Sequence, residues 1–139
     1  METLLVNHCP PEDPDIQNAL IGLRNFFFPE GSLHRASKHL ADVEKQSAAK
    51  RLCMFFRWMV RKDSAGIDFG IWEQFSPAQL VCPLDVHSGK VARHLGILQR
   101  PVNDWRAATE LTACLRLADP DDPVRFDFAL FGAGVYDAN

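Results

Sequence analysis

Helix-start signals recur along the chain and constrain its fold class more than any other feature. Each signal places Asp, Asn or Ser, in several cases followed by proline, before a segment with apolar residues at helical spacing. They occur at Asp13-Pro14, Ser47, Ser76-Pro77, Asp85, Asn103 and Asp122-Pro123. No segment between them shows the convincing alternation of a β-strand. The sequence therefore predicts an all-α fold of five or six helices.

The length and the apolar content predict a single domain. A chain of 139 residues with 47% apolar residues can bury one core of ordinary size. Residues 1–13 have little periodicity and are interpreted as an entry segment, with one helical domain over 14–139. A break at Pro29, Glu30 and Gly31 ends the first long helix, and residues 32–46 predict a loop with one helical turn.

The cysteines indicate a reducing compartment. Cys9, Cys53, Cys82 and Cys114 are 44, 29 and 32 residues apart, so they form no CxxC pair and no dense disulfide framework. We expect reduced, mostly buried thiols in a cytoplasmic protein. The amino-terminal sequence lacks the basic region of a signal peptide, and no apolar run approaches the roughly 20 residues of a membrane span.

The histidine and cysteine spacings predict no metal site. The combination of Cys82, His87 and His94 matches no standard zinc pattern. We expect neither a metal nor another cofactor.

Positive charge is concentrated locally, although the net charge is −3. The segment 47–62 carries five basic residues and no acidic one, and Lys50, Arg57 and Arg61 share a face opposite its apolar stripe. With Lys90 and Arg93 of a later helix, these side chains predict a cationic ridge that binds phosphates. The alternative is an ordinary solvated helix face.

Lys50 and Asp85 are the candidate chemical groups, because each lies at the start of a predicted helix. A lysine amine can attack an electrophilic sugar carbon, and a carboxylate can stabilise the positive charge that develops. The alternatives are a solvated lysine and an aspartate that serves as a helix cap. The sequence leaves open whether the two side chains share a pocket.

Four ordered segments closely resemble a bacterial family, domain-of-unknown-function family 2400. The resemblance covers residues 16–135 and is carried by KRLCMFFRWMVRKDSAGIDFGIW (50–72), SPAQLVCPLDVHSGKVARHLGI (76–97), DWRAATELT (104–112) and DPDDPVRFDFALFGAGV (119–135).

One of these segments, PLDVHSGKVARHLGI (83–97), is also similar to the V-D-[TV]-H-V-x-R-[VL]-x-x-R-L-G pattern of helix-hairpin-helix base-excision DNA glycosylases. The resemblance implies part of that fold, with damaged duplex DNA as the partner. It implies Asp85 as the catalytic carboxylate and Lys50 as the nucleophile that forms a Schiff base at the sugar C1′. His87 would orient Asp85. The DNA backbone would be held by Arg57, Arg61, Lys90 and Arg93.

The sequence departs from the glycosylase pattern in two respects, of which the first favours an alternative function. The stretch LADVEKQSAAK (40–50) stands where the glycosylases have a glycine-rich hairpin, and it contains no glycine. The interval from Lys50 to Asp85, 35 residues, is also longer than usual. The alternative is a catalytically silent DNA-binding or scaffold domain of the same fold. Because the chain is short for two helical lobes, we expect it to correspond to the carboxyl-terminal part of a longer family fold.

Overall fold

The computed structural model describes residues 1–29 and 35–136, and the regular secondary structure of these residues is helical. The α-helices are α1 (Glu2–Val6), α2 (Gln17–Phe27), α3 (Lys50–Val60), α4 (Val86–His94), α5 (Trp105–Ala118) and α6 (Asp127–Tyr136). Short 3₁₀ helices span Arg35–His39, Pro77–Gln79 and Pro123–Phe126. Within the described residues there is no strand, and an isolated bridge joins Lys62 to Phe69. The all-α prediction is confirmed.

Two of the predicted helix starts form the expected caps. The Asp85 carboxylate accepts the backbone N–H of Ser88, whose hydroxyl in turn accepts the Asp85 N–H, so that α4 begins with a reciprocal capping box. Ser76 and Gln79 form the same arrangement at a 3₁₀ helix. Gly96 adopts a φ of +73° just after α4, as predicted for a residue that ends a helix.

Two predicted starts lie too early in the chain. Helix α2 begins at Gln17 rather than at Asp13-Pro14, because the Asp15 carboxylate accepts the Gln17 N–H at 2.8 Å. Helix α3 begins at Lys50, and the Ser47 hydroxyl accepts the N–H of Ala49 in the preceding turn. In both segments a local side-chain hydrogen bond forms a turn before the helix instead of capping it.

The start of α5 differs by one residue from the prediction. Asp104 caps this helix by accepting the N–H of Ala107 at 2.9 Å, whereas Asn103 points to α4 and its Nδ2 donates to the Asp85 carbonyl at 3.0 Å. At the carboxyl-terminal end, Pro123 starts a 3₁₀ helix that leads into α6, rather than starting the α-helix itself.

The entry segment contains a helix that its weak periodicity did not predict. Leu5 of α1 is fully buried in the core, so this segment is packed against the rest of the chain. The predicted break after α2 is confirmed as far as Pro29, whereas Glu30 and Gly31 lie outside the described residues. The helical turn predicted for 32–46 corresponds to the 3₁₀ helix Arg35–His39, and residues 32–34 lie outside the described part.

The core contains an aromatic cluster between α3 and the segment that follows it. The Phe56 ring lies edge-on to Trp72 and to Phe75, with 5.4 Å between ring centroids in each pair. Such edge-to-face pairs add to the free energy gained by burial. The connector after α3 is held against that helix because Phe69 donates its N–H to the Trp58 carbonyl at 2.8 Å.

The cysteines occupy the positions expected of free thiols. Cys9, Cys53 and Cys82 are buried, Cys114 is partly buried, and all four are free. Burial raises the pKa of Cys9 to about 11, so this side chain is a protonated thiol at neutral pH.

Gly134 of α6 allows α4 and α6 to pack closely, and Gly89 of α4 allows Asn103 to approach α4. A Cβ atom on Gly134 would lie 2.7 Å from the His87 carbonyl oxygen, and one on Gly89 would lie 2.8 Å from Asn103 Oδ1. Real Cβ atoms do not approach that closely. The close packing places the first turns of α6 beside Asp85, at the amino-terminal end of α4. In the described residues, no helix has the length and apolar content needed to cross a bilayer.

Candidate active site

Lys50 and Asp85 meet at the point where α3 and α4 begin. Lys50 is the first residue of α3 and Asp85 is the residue that caps α4, and Lys50 Nζ donates to Asp85 Oδ2 at 2.6 Å. The Lys50 side chain is 40% exposed and the Asp85 side chain 14%. The two candidate groups therefore form an ion pair that a ligand can reach from solvent.

Asp85 is fixed on both of its carboxylate oxygens and on its backbone. While Oδ2 accepts from Lys50, Oδ1 accepts from the Ser88 N–H at 2.9 Å and from the Ser88 hydroxyl at 3.1 Å. Burial alone would raise the pKa of Asp85, but the hydrogen bonds from Lys50 and Ser88 hold this pKa below its ordinary value. Asp85 is therefore ionised at neutral pH and has a defined orientation.

His87 does not occupy the orienting position that the resemblance implies. Its ring lies edge-on to Phe131, with 6.0 Å between the ring centroids. Among the described contacts, no hydrogen bond joins His87 to Asp85, and Ser88 supplies the orienting bonds instead. His87 supports the Phe131 ring, whose centroid is 5.7 Å from Lys50 Nζ.

A cavity of about 160 Å³ opens beside the ion pair, between α3 and α6. Its walls combine charged groups with apolar ones. It is lined by Lys50, Met54, Arg57, Pro83, Asp85, Asp127, Phe128 and Phe131. Phe128 and Phe131 are each more than 40% exposed and form the aromatic side of the cavity.

Arg57 is buried, and its predicted position on a solvent-facing ridge is wrong. Its Nε donates to Asp68 Oδ1 at 3.1 Å, and Nη1 donates to Asp127 Oδ2. The guanidinium also lies 4.4 Å from the Phe128 ring centroid. Arg57 is only 4% exposed, so its charge is neutralised inside the protein and does not meet a phosphate at the surface.

Arg61 is likewise directed inward. Its Nη1 donates to Asp68 Oδ2 at 2.6 Å. Its Nε and Nη2 form a bidentate ion pair with Asp122, at 2.8 and 2.9 Å. Only 11% of the Arg61 side chain is exposed. Arg57, Arg61 and their carboxylate partners form a continuous network, which we call the arginine–aspartate network; it is buried at Arg57 and Asp68 and partly exposed at Asp122. These two arginines of α3 therefore contact acidic side chains rather than solvent.

The two predicted phosphate contacts of α4 differ from each other. Lys90 is exposed, as a phosphate-binding side chain requires. Arg93 is half-buried, and it donates to the Arg100 carbonyl at 2.8 Å and to Asn103 Oδ1 at 2.6 Å. Arg93 thus holds Asn103, which in turn binds the Asp85 backbone.

A second concavity contains basic residues that the ridge prediction omitted. This groove of about 460 Å³ is lined by residues 38–41 and 47–52. Lys38, His39 and Arg51 are exposed there, and Lys50 lines both the groove and the 160 Å³ cavity. The charge concentration at the start of 47–62 was the signal for this surface. The contribution of Lys38 and His39, from the 3₁₀ helix Arg35–His39, could not be inferred from helical spacing.

Asp127 is the site residue that sequence reasoning missed. It lines the cavity with Lys50 and Asp85, although it is 42 residues beyond Asp85 in the chain. Burial raises the pKa of Asp127, and the charge of Asp85 adds to this effect while Arg57 opposes it. The available signal was its position as the single charged residue of the otherwise apolar α6. The described part of the chain has no cluster of three or more His, Cys, Asp or Glu side chains placed to hold a metal ion.

Comparison with known families matches the chain to one family over almost its full length. The family model described as "Protein of unknown function (DUF2400)" matches residues 1–136. No curated protein and no solved structure matches the chain.

Proposed function

We propose that this chain, which belongs to the DUF2400 family, is a DNA glycosylase with associated lyase activity. The observation that carries the proposal is the contact of 2.6 Å between Lys50 Nζ and Asp85 Oδ2 at the mouth of a cavity. An amine and an ionised carboxylate that close can act on the same sugar carbon. The similarity of residues 83–97 to the glycosylase pattern supports the same chemistry.

The size of the cavity suits a nucleobase. Sites for drug-sized ligands usually enclose about 300–1,000 Å³. A cavity of about 160 Å³ instead suits one small ring system. Enzymes that act on a base in duplex DNA rotate the nucleotide out of the stack and place the base in such a pocket. The partly exposed rings of Phe128 and Phe131 supply apolar surface on which a base can pack.

In the first step, Lys50 replaces the base at C1′. The Lys50 ammonium gives up one proton, which passes through the Asp85 carboxylate to the departing base. The bond between C1′ and the base nitrogen breaks with its electron pair on the base, and a bond forms between Nζ and C1′. Asp85, ionised again, stabilises the positive charge that develops on the sugar.

In the second step, the sugar ring opens and the strand is cut. The C1′–O4′ bond breaks, one proton moves from Nζ to O4′, and a protonated Schiff base joins Lys50 to C1′. The C2′ proton then passes to water, the C3′–O bond breaks with its electron pair on the departing 3′ phosphate, and a second water hydrolyses the Schiff base to release the remaining sugar from the lysine. Borohydride reduces the carbon–nitrogen double bond of the Schiff base and makes the link permanent.

The groove beside Lys50 supplies a surface for the DNA backbone. Lys38, His39 and Arg51 are exposed along it, and Lys50 lies where the groove joins the cavity. A DNA strand whose sugar–phosphate backbone lies in the groove would place one sugar next to Lys50 and the attached base next to the cavity. Cations on the groove neutralise phosphates and release counterions, so binding must weaken as salt increases. Exposed Lys90 is a further candidate contact.

Borohydride trapping on defined duplexes tests the proposal. The substrates are one duplex with an abasic site and a panel of duplexes that each carry a single altered base. The intact chain should form a covalent adduct with the abasic duplex and release a base from at least one member of the panel. Lys50→Ala should form no adduct, and Asp85→Asn should slow base release by about 100-fold or more. Lys62→Ala, at an exposed lysine paired with Glu73, is the matched control and should behave as the unaltered chain.

Absence of both adduct and base release from every duplex refutes the enzymatic proposal. If DNA binding is nevertheless retained and weakens with salt, the alternative of a catalytically silent DNA-binding domain is supported. An adduct that forms equally well with Lys50→Ala excludes Lys50 as the nucleophile.

A further inference from the structure

Arg57 and Asp127 together form a polar part of the cavity wall. Both residues line the cavity, and Arg57 Nη1 donates to Asp127 Oδ2. Neither is needed to hold the Lys50–Asp85 pair, which is fixed by Ser88 and by the pair's own hydrogen bond. The cavity therefore contains a second pair of charged groups beside the pair that performs the chemistry.

Asp127 has capacity for another hydrogen bond. Its Oδ2 accepts from Arg57, and in the described structure the partner of Oδ1 is the Cys82 thiol at 3.9 Å. A thiol is a weak donor, whereas a carboxylate oxygen accepts strong donors through two lone pairs. The raised pKa of Asp127 agrees with a buried carboxylate whose hydrogen bonds do not fully compensate its burial.

Arg57 offers donors next to that acceptor. A guanidinium carries five N–H groups. In the part of the chain that the structure describes, Nε is directed to Asp68 and one N–H of Nη1 to Asp127. The Phe128 ring covers one face of the guanidinium at 4.4 Å, so its edge carries the remaining donors. An acceptor and a donor thus lie side by side against an aromatic wall.

We infer that Asp127 and Arg57 recognise the edge of a nucleobase that carries an N–H group next to a carbonyl oxygen. The N–H donates to Asp127 and the carbonyl accepts from Arg57, while the ring packs against Phe128 or Phe131. Uracil, hypoxanthine and guanine derivatives have this lactam edge. The inference rests on the proposed glycosylase function and identifies the class of base that the same cavity accepts.

The test separates base recognition from the chemistry at the sugar. An abasic duplex has no base to recognise but still offers C1′ to Lys50. With Asp127→Asn, borohydride trapping on the abasic duplex should therefore match that of the unaltered chain. Release of a lactam base should fall by about 10- to 100-fold, the cost of losing a hydrogen bond to a charged acceptor.

Asp122→Asn is the matched control, since Asp122 belongs to the same arginine–aspartate network but does not line the cavity. It should leave both activities unchanged. Base release by Asp127→Asn at the rate of the unaltered chain overturns the inference. A parallel loss of trapping and base release, in Asp127→Asn alone, also overturns it because it indicates a structural role for Asp127.

A second measurement needs no variant and remains decisive if Asp127→Asn fails to fold. The unaltered chain is given two duplexes whose altered bases differ by one methyl group on the lactam nitrogen. The base with the free N–H should be released faster, and equal rates would overturn the inference. Absence of both trapping and base release by the unaltered chain is a different result: it refutes the proposed function itself.

Discussion

Replacement of Asp68 by alanine tests whether the basic face of α3 is packed inside the protein. The Asp68 side chain is fully buried, and it accepts from Arg57 Nε at 3.1 Å and from Arg61 Nη1 at 2.6 Å. Asp68→Ala would leave two guanidinium groups in the interior with one carboxylate partner each. Arg57 would retain Asp127, and Arg61 would retain Asp122.

The expected loss of stability is large for a single substitution. Removal of one partner from a buried ion pair costs about 3–5 kcal/mol, and Asp68→Ala takes one partner from each of two guanidinium groups. For a domain of this length the corresponding decrease in Tm is about 10–17 °C. Since the free energy of unfolding of a domain is about 5–15 kcal/mol, Asp68→Ala should still fold but should retain only a small free energy of unfolding.

Urea unfolding followed by circular dichroism measures this loss, and Glu73→Ala is the matched control. Glu73 also pairs with a cation, Lys62 at 3.8 Å, but both side chains are more than two-thirds exposed. Its removal should change the free energy of unfolding by less than about 0.5 kcal/mol. If Asp68→Ala costs less than about 1 kcal/mol, Arg57 and Arg61 are not held in a buried network, and the reasoning is refuted.

Three further predictions follow from the contacts of α5, α6 and the groove. Gly134→Ala should destabilise the chain because its new methyl group would lie 2.7 Å from a carbonyl of α4. Gly132 has open space around it, so Gly132→Ala should instead stabilise α6 by about 0.5–1 kcal/mol. Thermal unfolding measures both effects. Hydrogen bonds from Arg100 lower the pKa of Asp104 to about 2, so the stability that Asp104 supplies is present above about pH 4 and is lost as the pH falls towards 2. Arg51→Ala should weaken DNA binding and reduce the slope of log affinity against log salt by about 1.

Each of these predictions has a result that contradicts it. Equal effects of the two glycine substitutions would contradict the close contact between α4 and α6. A stability profile of Asp104→Asn that falls with acid as steeply as that of the unaltered chain would mean that the pKa of Asp104 is not lowered. An unchanged salt slope in Arg51→Ala would exclude the groove as a phosphate surface, and Lys62→Ala is the control at an exposed lysine outside the groove.

The sequence predicted the cap that places Asp85, because this cap depends on neighbouring residues. Asp85 and Ser88 are three positions apart, and their reciprocal hydrogen bonds follow from this spacing. The predicted cap of α3, Ser47, instead forms a turn before the helix, which begins at Lys50. The contact between Lys50 and Asp85 spans 35 residues and could not be derived from spacing, and the resemblance to the glycosylases implied a role for each residue but not their contact.

The prediction that Arg57 and Arg61 lie on a solvent-facing ridge was wrong, because helical periodicity identifies a polar face but not what covers it. Arg57 meets an aspartate 70 residues away and Arg61 one that is 61 residues away. Asp127 was missed for the same reason. A helix face with several arginines is solvated in many proteins, and here the acidic residues of the final segment pack against it.

Identification of the residue that borohydride links to abasic DNA tests the central claim most directly. The adduct formed by the unaltered chain would be digested, and the modified peptide would be sequenced by mass spectrometry. The proposed chemistry predicts that the sugar remnant is attached to Lys50, the lysine whose Nζ lies 2.6 Å from Asp85 Oδ2. Attachment to the amino terminus or to another lysine, or the absence of any adduct, would contradict it.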